Sequence, residues 1–366
     1  MCIRDSDRLR VAEMEIADDA LRNCIIETAA DNDWVFMDEV LALDCHSPEP
    51  DSLEGMEAFA AESGNLESLR LVTRAADLTP LTGITSLSRL VLIDISAEDI
   101  APLGSLSRLK ELSLTGTLNY DGIGCAASSG IQDLTPIGNL QDLQALVLEG
   151  CLAAEDYSAI SSLLNLHEMA LRNNQTLRTL PPLEGLSQLK RLDLLGSYRL
   201  NNISEISNLR GLIHLRLDDT PGGDVLIMQA IGTLTELEAL TVLDSYIDDI
   251  SPLANLTSLK TLTFMWRELD YNPKGKIADL SPLAGLGDLT HIRMEHQQVA
   301  DVSPLAMLPR LIELDLTDNA VADISSLNNL TSLESLVLDE NWLRELPDLS
   351  ALANLAHLSL DSNRIV

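Results

Sequence analysis

From Leu66 onward, aliphatic residues recur in the spacing L-x-x-L-x-L, and the unit beginning at Leu311 shows what that spacing dictates. Alternation over Leu314-Asp315-Leu316 predicts a short strand, with both leucines on one side and Asp315 on the other. Asn319 follows as a turn residue whose side-chain amide can bond open backbone groups of neighbouring turns. Val321, Ile324, Leu327 and Leu330 then bring the chain back along the opposite side. The same register places first leucines at 66, 87, 109, 143, 166, 189, 212, 237, 259, 289, 311, 333 and 355, mostly 22 or 23 residues apart.

A period near 22 held through about thirteen units falls in the range of leucine-rich repeats. The expected fold class is α/β: a solenoid with a parallel β-sheet on its concave face and short 3₁₀ or irregular convex segments. The Asn slot is also held by Asn174, Asn341 and Asn363, with Cys151, Ser197, Thr220 and Ser245 as smaller polar substitutes. Return segments 77–81, 133–137, 249–253, 279–283 and 301–305 read Asp-aliphatic-Ser/Thr-Pro-aliphatic. There the Ser or Thr is expected to cap a single helical turn opened by Pro. One unit cannot bury enough apolar surface to order itself, so the units must stack.

The N-terminal part is patterned differently. Residues 16–30 carry Ile16, Ala20, Leu21, Cys24, Ile25 and Thr28 on helical spacing, with Asp18 and Asp19 in the first turn. Val40, Leu43 and Cys45 then read as a degenerate first strand. Three segments follow: 7–65, a helical cap with that degenerate repeat; 66–366, the repeats, the last one truncated; and 1–6, which resembles the translated end of a sequencing adapter and is set aside. Both ends read as cut, so a signal peptide is expected to lie upstream.

Composition narrows the partners. Hydrophobic residues make up 46% and aromatics only 3%, the mark of a core built from one repeated aliphatic residue. A net charge of −33 opposes phosphate backbones and anionic membranes, so neither nucleic acid nor membrane insertion is expected. No apolar run approaches the ~20 residues needed to span a bilayer.

The Asp-Ile/Leu-Ser/Thr-Pro-Leu returns on a period near 22 resemble the internalin-type leucine-rich repeats of bacterial surface and secreted proteins. The likeness runs from Ile16 to Val366, and the cap residues Asp18 to Leu21, Cys24 and Leu43 to Cys45 resemble the caps of exported repeat proteins. It implies a right-handed horseshoe serving adhesion or protein recognition, in an extracellular, cell-surface or periplasmic setting. Longer segments at 117–132, 221–230 and 267–278 depart from the pattern, and neither a wall anchor nor an immunoglobulin-like region is visible in the sequence.

Cys24 and Cys45 fall where cap helix and first strand meet: a disulfide is expected there, with two buried thiols as the alternative. Cys125 lies in the first long segment and could pair with Cys151. No Cys-x-x-Cys pair points to zinc. On the concave face, Met265, Trp266, His291, Arg293 and His296, with Tyr271 and Lys274 of the adjoining long segment, form the candidate partner-binding patch. Thioether, aromatic and basic groups together suit an interface hot spot, with a solvated loop and a locally packed Trp266 as the alternative. The acidic stretch from Asp315 to Asp361 reads as a solvated face, with a shared calcium ion as the alternative.

No His-Glu-x-x-His, Gly-x-Ser-x-Gly or phosphate-cradling glycine loop occurs, so neither an enzyme nor a cofactor is expected. The leading reading is a non-catalytic scaffold that binds a protein. The alternatives are an intracellular, cytoplasmic regulatory scaffold of the phosphatase-regulator kind, and the sensor part of a larger enzyme.

Overall fold

The computed structural model describes residues 8–46, 49–60, 65–116, 130–150, 153–218, 224–244, 246–266 and 275–366. The chain forms two compact units, one of residues 1–177 and 181–189, the other of residues 178–180 and 190–366.

The first unit opens with helix α1 (Asp19–Asp31), which buries Leu21, Ile25 and Ala29 at four-residue intervals along one stripe. Asp18 is its N-cap rather than part of its first turn, and the helix starts later than the pattern suggested. One Asp18 oxygen accepts from Leu21 N at 3.0 Å, the other from Asp51 N at 2.9 Å. Burial alone would raise the Asp18 pKa, but these amide donors outweigh it and the net direction is down. Cys24 on α1 and Cys45 at the end of β1 are joined by a disulfide, with Cα atoms 5.8 Å apart. Cys125 and Cys151 lie outside the described residues.

Strands β1 (Ala42–Cys45), β2 (Ser68–Val72), β3 (Arg89–Ile95), β4 (Glu111–Gly116), β5 (Ala145–Glu149) and β6 (Glu168–Arg172) pair in parallel, each with the next in sequence. Leu43, Leu69, Leu90, Leu112, Leu146 and Met169 stand in register. Each is at most 2% exposed, so this column is the spine of the core. Alternation then sends Asp44, Arg70, Val91, Ser113, Val147 and Ala170 to the open face of the sheet.

The second unit repeats the scheme with β7 (Arg191–Asp193), β8 (His214–Asp218), β9 (Ala239–Leu243), β10 (Thr261–Met265), β11 (His291–Met294), β12 (Glu313–Asp315), β13 (Ser335–Val337) and β14 (His357–Ser359). Its inward register runs Leu192, Leu215, Leu240, Leu262, Ile292, Leu314, Leu336 and Leu358. The 221–230 segment contributes most of a helix the repeat pattern does not announce, α2 (Asp224–Ile231). Ile227, Met228 and Ile231 are buried while Leu226 is 73% exposed, so a locally apolar run has found its own inward face.

The return segments are single 3₁₀ turns such as Thr79–Leu81, Thr135–Asn139, Ser251–Asn255 and Ser303–Met307. Their caps differ from the expected ones. The Ser or Thr is the first helical residue, and the preceding aliphatic residue occupies the N-cap without a side-chain bond. The carboxylate two positions before the Ser or Thr satisfies the free amide instead: Asp77 accepts from Thr79 N, Asp133 from Thr135 N and Asp301 from Ser303 N, each at 2.8 Å. A hydroxyl cannot reach its own residue's amide, whereas an Asp two residues back closes an Asx turn onto it. Asn202 does the same for Ser204 N at 2.9 Å.

Two further columns fix each rung. Asn319, buried, donates from Nδ2 to Met294 O at 2.7 Å, and its Oδ1 accepts from Val299 N at 3.0 Å, tying one turn to the preceding rung. Asn363 acts likewise on Leu338 O and Leu343 N, and Asn174 donates to Leu148 O at 2.9 Å. Gln297, a longer amide than the Asn and small polar residues expected in the slot, fills it in the β11 rung and accepts from Ile277 N at 3.3 Å. One residue before the slot the backbone is left-handed, at Asp94, Asn173, Asp244, His296, Asp318, Glu340 and Ser362, with Gly150 and Gly196 in the equivalent places. Asp, Asn and Gly tolerate that conformation best, which explains their frequency there.

Candidate recognition face

With inward side chains consumed by the core, the open face of each sheet carries the exposed chemistry. In the second unit its central column reads Asp193, Arg216, Thr241, Thr263, Arg293, Asp315, Val337 and Ser359. Arg293 stands between Thr263 and Asp315. Its Nε bonds the Glu295 carboxylate and lies 3.6 Å from Asp315 Oδ2, while about half of its side chain stays exposed. His291 precedes it in the neighbouring column, with Nδ1 2.8 Å from Thr290 Oγ1 and Nε2 3.9 Å from Glu313. Arg216 makes a similar cross-strand pair with Asp193 at 2.9 Å.

The residues picked out in the sequence meet only in part. Met265, His291 and Arg293 share the open face on adjacent strands. Trp266 does not: it is 4% exposed, its ring edge-on to Tyr246 with centroids 5.0 Å apart. Lys276 Nζ lies 5.4 Å from the Tyr246 ring. Trp266 is thus a packing residue beneath the face and not a contact on it. The signal was in the alternation, since Phe264 points inward, Met265 outward and Trp266 inward again. His296 lies past β11 in the left-handed turn, where Nδ1 meets Asp318 Oδ2 at 2.9 Å. Tyr271 and Lys274 lie outside the described residues.

The acidic stretch is occupied by local bonds. Asp315 accepts from the amide and hydroxyl of Thr317, and Asp339 from Ser359 Oγ at 2.6 Å and Asp361 N at 2.7 Å. Among the described residues no group of three or more His, Cys, Asp or Glu is arranged to hold a metal ion. His214, His291 and His357 share one column but are kept apart by Ala239 and Thr261 on one side of His291, and by Glu313 and Ser335 on the other.

A feature the pattern reading passed over lies in the first unit. The open face of β3 to β6 holds a depression of about 490 Å³, walled by Arg89, Glu111, His167 and Glu168 and floored by Val91, Ala145 and Val147. The sign was a small residue, Ala145, standing between Glu111 and Glu168 on the neighbouring strands.

Parallel rungs in sequence order, joined by 3₁₀ returns and locked by a buried Asn column, define a leucine-rich-repeat protein. The chain belongs to that family: the family described as "Leucine-rich repeat region" matches residues 124–366. Among solved structures, an internalin (inlF) from Listeria monocytogenes aligns at 23% identity with a TM-score of 0.67, covering 100% of this chain and 94% of that one. A leucine-rich-repeat protein of Leptospira interrogans aligns at 19% identity and a TM-score of 0.62, covering 93% and 94%. The plant peptide hormone receptor RGFR1, solved in complex with RGF2, aligns at 22% identity and 0.58, covering 81% of this chain and 48% of that one. No curated protein matches the chain. These likenesses place the fold among internalin-type repeats, in a family whose members commonly mediate protein recognition and are generally non-catalytic. Among the described residues no helix is long and apolar enough to cross a membrane.

Proposed function

We propose that this chain is an exported, non-catalytic recognition module that binds a protein partner through the open face of its sheet, with Met265, His291 and Arg293 at the centre of the contact and His296, Tyr271 and Lys274 at its margin. The observation that carries this reading is Arg293: a half-exposed side chain whose Nε bonds Glu295 in its own rung and faces Asp315 of the next. Such a group is pre-oriented, so a partner's carboxylate or carbonyl can bind it with little loss of side-chain freedom. Trp266 supports the contact from below by packing on Tyr246. RGFR1, a plant peptide hormone receptor solved in complex with RGF2, offers a parallel for recognition by stacked repeats.

The Cys24–Cys45 disulfide supports export, because reducing cytosol rarely leaves such a bond in place. The test begins with a photo-crosslinking residue at position 265 to find the partner in its native surroundings. The partner is then purified and titrated against wild type and Arg293→Ala. A tenfold or greater loss of affinity is expected, whereas unchanged affinity removes the patch from the contact.

A further inference from the structure

We propose that a groove in the N-terminal cap binds the last residue of a partner polypeptide, its apolar side chain between apolar walls and its chain-end carboxylate on Arg10. The groove holds about 260 Å³ between α1 and the stretches that flank it in sequence. Helix α1 spends one stripe, Leu21, Ile25 and Ala29, on the core. One position further round, Ile26 and Ala30 stand four residues apart outside that stripe, and Ile26 is 42% exposed. Across the groove Val35 is 50% exposed and Trp34 half-buried, over a floor of Val11 and Ala29. Backbone bonds hold these walls: Val11 N donates to Val35 O at 3.1 Å, Met37 N to Leu9 O at 3.0 Å and Trp34 N to Ala29 O at 2.8 Å. A groove already formed binds without the cost of ordering its walls.

The lining selects the occupant. Among the described residues Arg10 is its sole charged member. Its neighbour Arg8 is engaged, pairing with Asp38 at 2.7 Å and Glu39 at 3.0 Å and lying 3.9 Å over the Phe36 ring. Arg10 lies 5.8 Å from that ring, and among the described residues no carboxylate pairs with it. An open guanidinium beside an apolar groove suits an apolar body with an acceptor next to it, and a carboxylate makes the stronger, charge-assisted bond. The volume falls short of the ~300–1,000 Å³ of clefts for drug-sized ligands, so one side chain fits and a long acyl chain does not. A C-terminal residue carries carboxylate and side chain on one Cα, which matches a site of that size. The net charge of −33 opposes anions from afar, but physiological salt screens it beyond about 8 Å, and no carboxylate lines the groove.

The experiment uses the full chain with ¹³C-labelled Ala, Ile and Val methyls, titrated at physiological salt with acetyl-Ala-Ala-Leu as free acid, the same peptide as amide, acetyl-Ala-Ala-Ala as free acid, and octanoate. The leucine acid is expected to shift the methyls of Ile26, Ala30 and Val35 saturably, and the other three probes to bind at least threefold more weakly. Arg10→Gln is expected to weaken the leucine acid at least threefold while leaving the amide unchanged. Ala30→Leu fills the groove from an exposed helical position and is expected to abolish the shifts, with circular dichroism confirming the fold. The two variants alter different walls, so either one decides the matter if the other does not fold. Amide, alanine peptide or octanoate binding as tightly as the leucine acid, no saturable shift, or indifference to either variant would each overturn the assignment. Ile26 and Val35 lines that move with protein concentration before any peptide is added would give the groove to a second copy and overturn it too. None of these outcomes bears on the second-unit contact, which Arg293→Ala decides separately.

Discussion

Asn341 donates from Nδ2 to the carbonyl of Leu316, in the preceding rung, at 2.8 Å, while its Oδ1 accepts from Val321 N at 2.9 Å. The two bonds are not equally replaceable. Leu316 O also receives Asn319 Nδ2 at 3.0 Å, so removing Asn341 leaves it partnered. The amide of Val321 has no such reserve. Asn341→Leu therefore strands one buried N–H, and a loss of about 1–3 kcal/mol is expected in urea unfolding. Equal stability of the variant would show that the buried amide finds another acceptor.

The Asp caps respond to acid in a definite direction. Backbone amide donation from Ser303 N, with the Ser303 hydroxyl second, holds the Asp301 carboxyl below its ordinary value of 3.8. Asp249 and Asp323 are lowered in the same way by Ser251 and Ser325. A depressed folded pKa gives stability that is present above the unfolded value and is lost as pH falls through the folded one. Asp301→Ala is expected to melt below wild type at neutral pH, and the gap should close once the pH falls well under 3.8. A gap that persists in strong acid would show that the carboxylate's charge is not what caps the turn.

Asp301→Asn is the companion test. Asn202 already performs this task for Ser204, so the amide oxygen suffices. The Asn variant should melt close to wild type at neutral pH and keep its melting temperature better in acid.

The left-handed turn residue sets a ranking. Glu340 sits at φ 55° with no glycine to ease it. Stability should fall from Glu340→Gly through wild type to Glu340→Val, with valine about 1–2 kcal/mol below glycine because a branched Cβ crowds that conformation. Denaturant midpoints of the two variants give the comparison directly.

The disulfide makes a local claim. It closes a separation of 21 residues, for which the chain-entropy account gives about 3 kcal/mol. In a stack of rungs that loss should stay near its source. Reduction, or Cys24→Ser, is expected to speed amide exchange in α1 and β1 while β11 to β14 keep their protection. Exchange rising equally throughout would show that the molecule opens as one cooperative body.

The rungs themselves were legible because periodicity is a statement about burial. The predicted first leucines from Leu66 to Leu333 are all at most 1% exposed. The Asn slot was legible for the same reason, a polar residue recurring where only a buried one could serve. What escaped was information the repeat does not carry. The string Asp-aliphatic-Ser-Pro fits a hydroxyl cap or an Asx cap equally, and only geometry separates them. Helix α2 lies in a segment outside the period. Trp266 stands between two readings in the sequence, a surface contact and a locally packed ring, because its chemistry suits an interface while its place in the alternation points inward. The first-unit depression is a missing side chain rather than a present one, and such gaps are hard to see in a list of residues.

Alternation along each strand gives every rung one side chain for the interior and its neighbour for the outside. The two populations answer to separate selective pressures, so the outer positions can drift, be exchanged or be redesigned rung by rung while the foldable frame stays intact. A surface assembled this way is a row of independently editable letters, and new binding preferences can arise in it without first passing through an unstable ancestor.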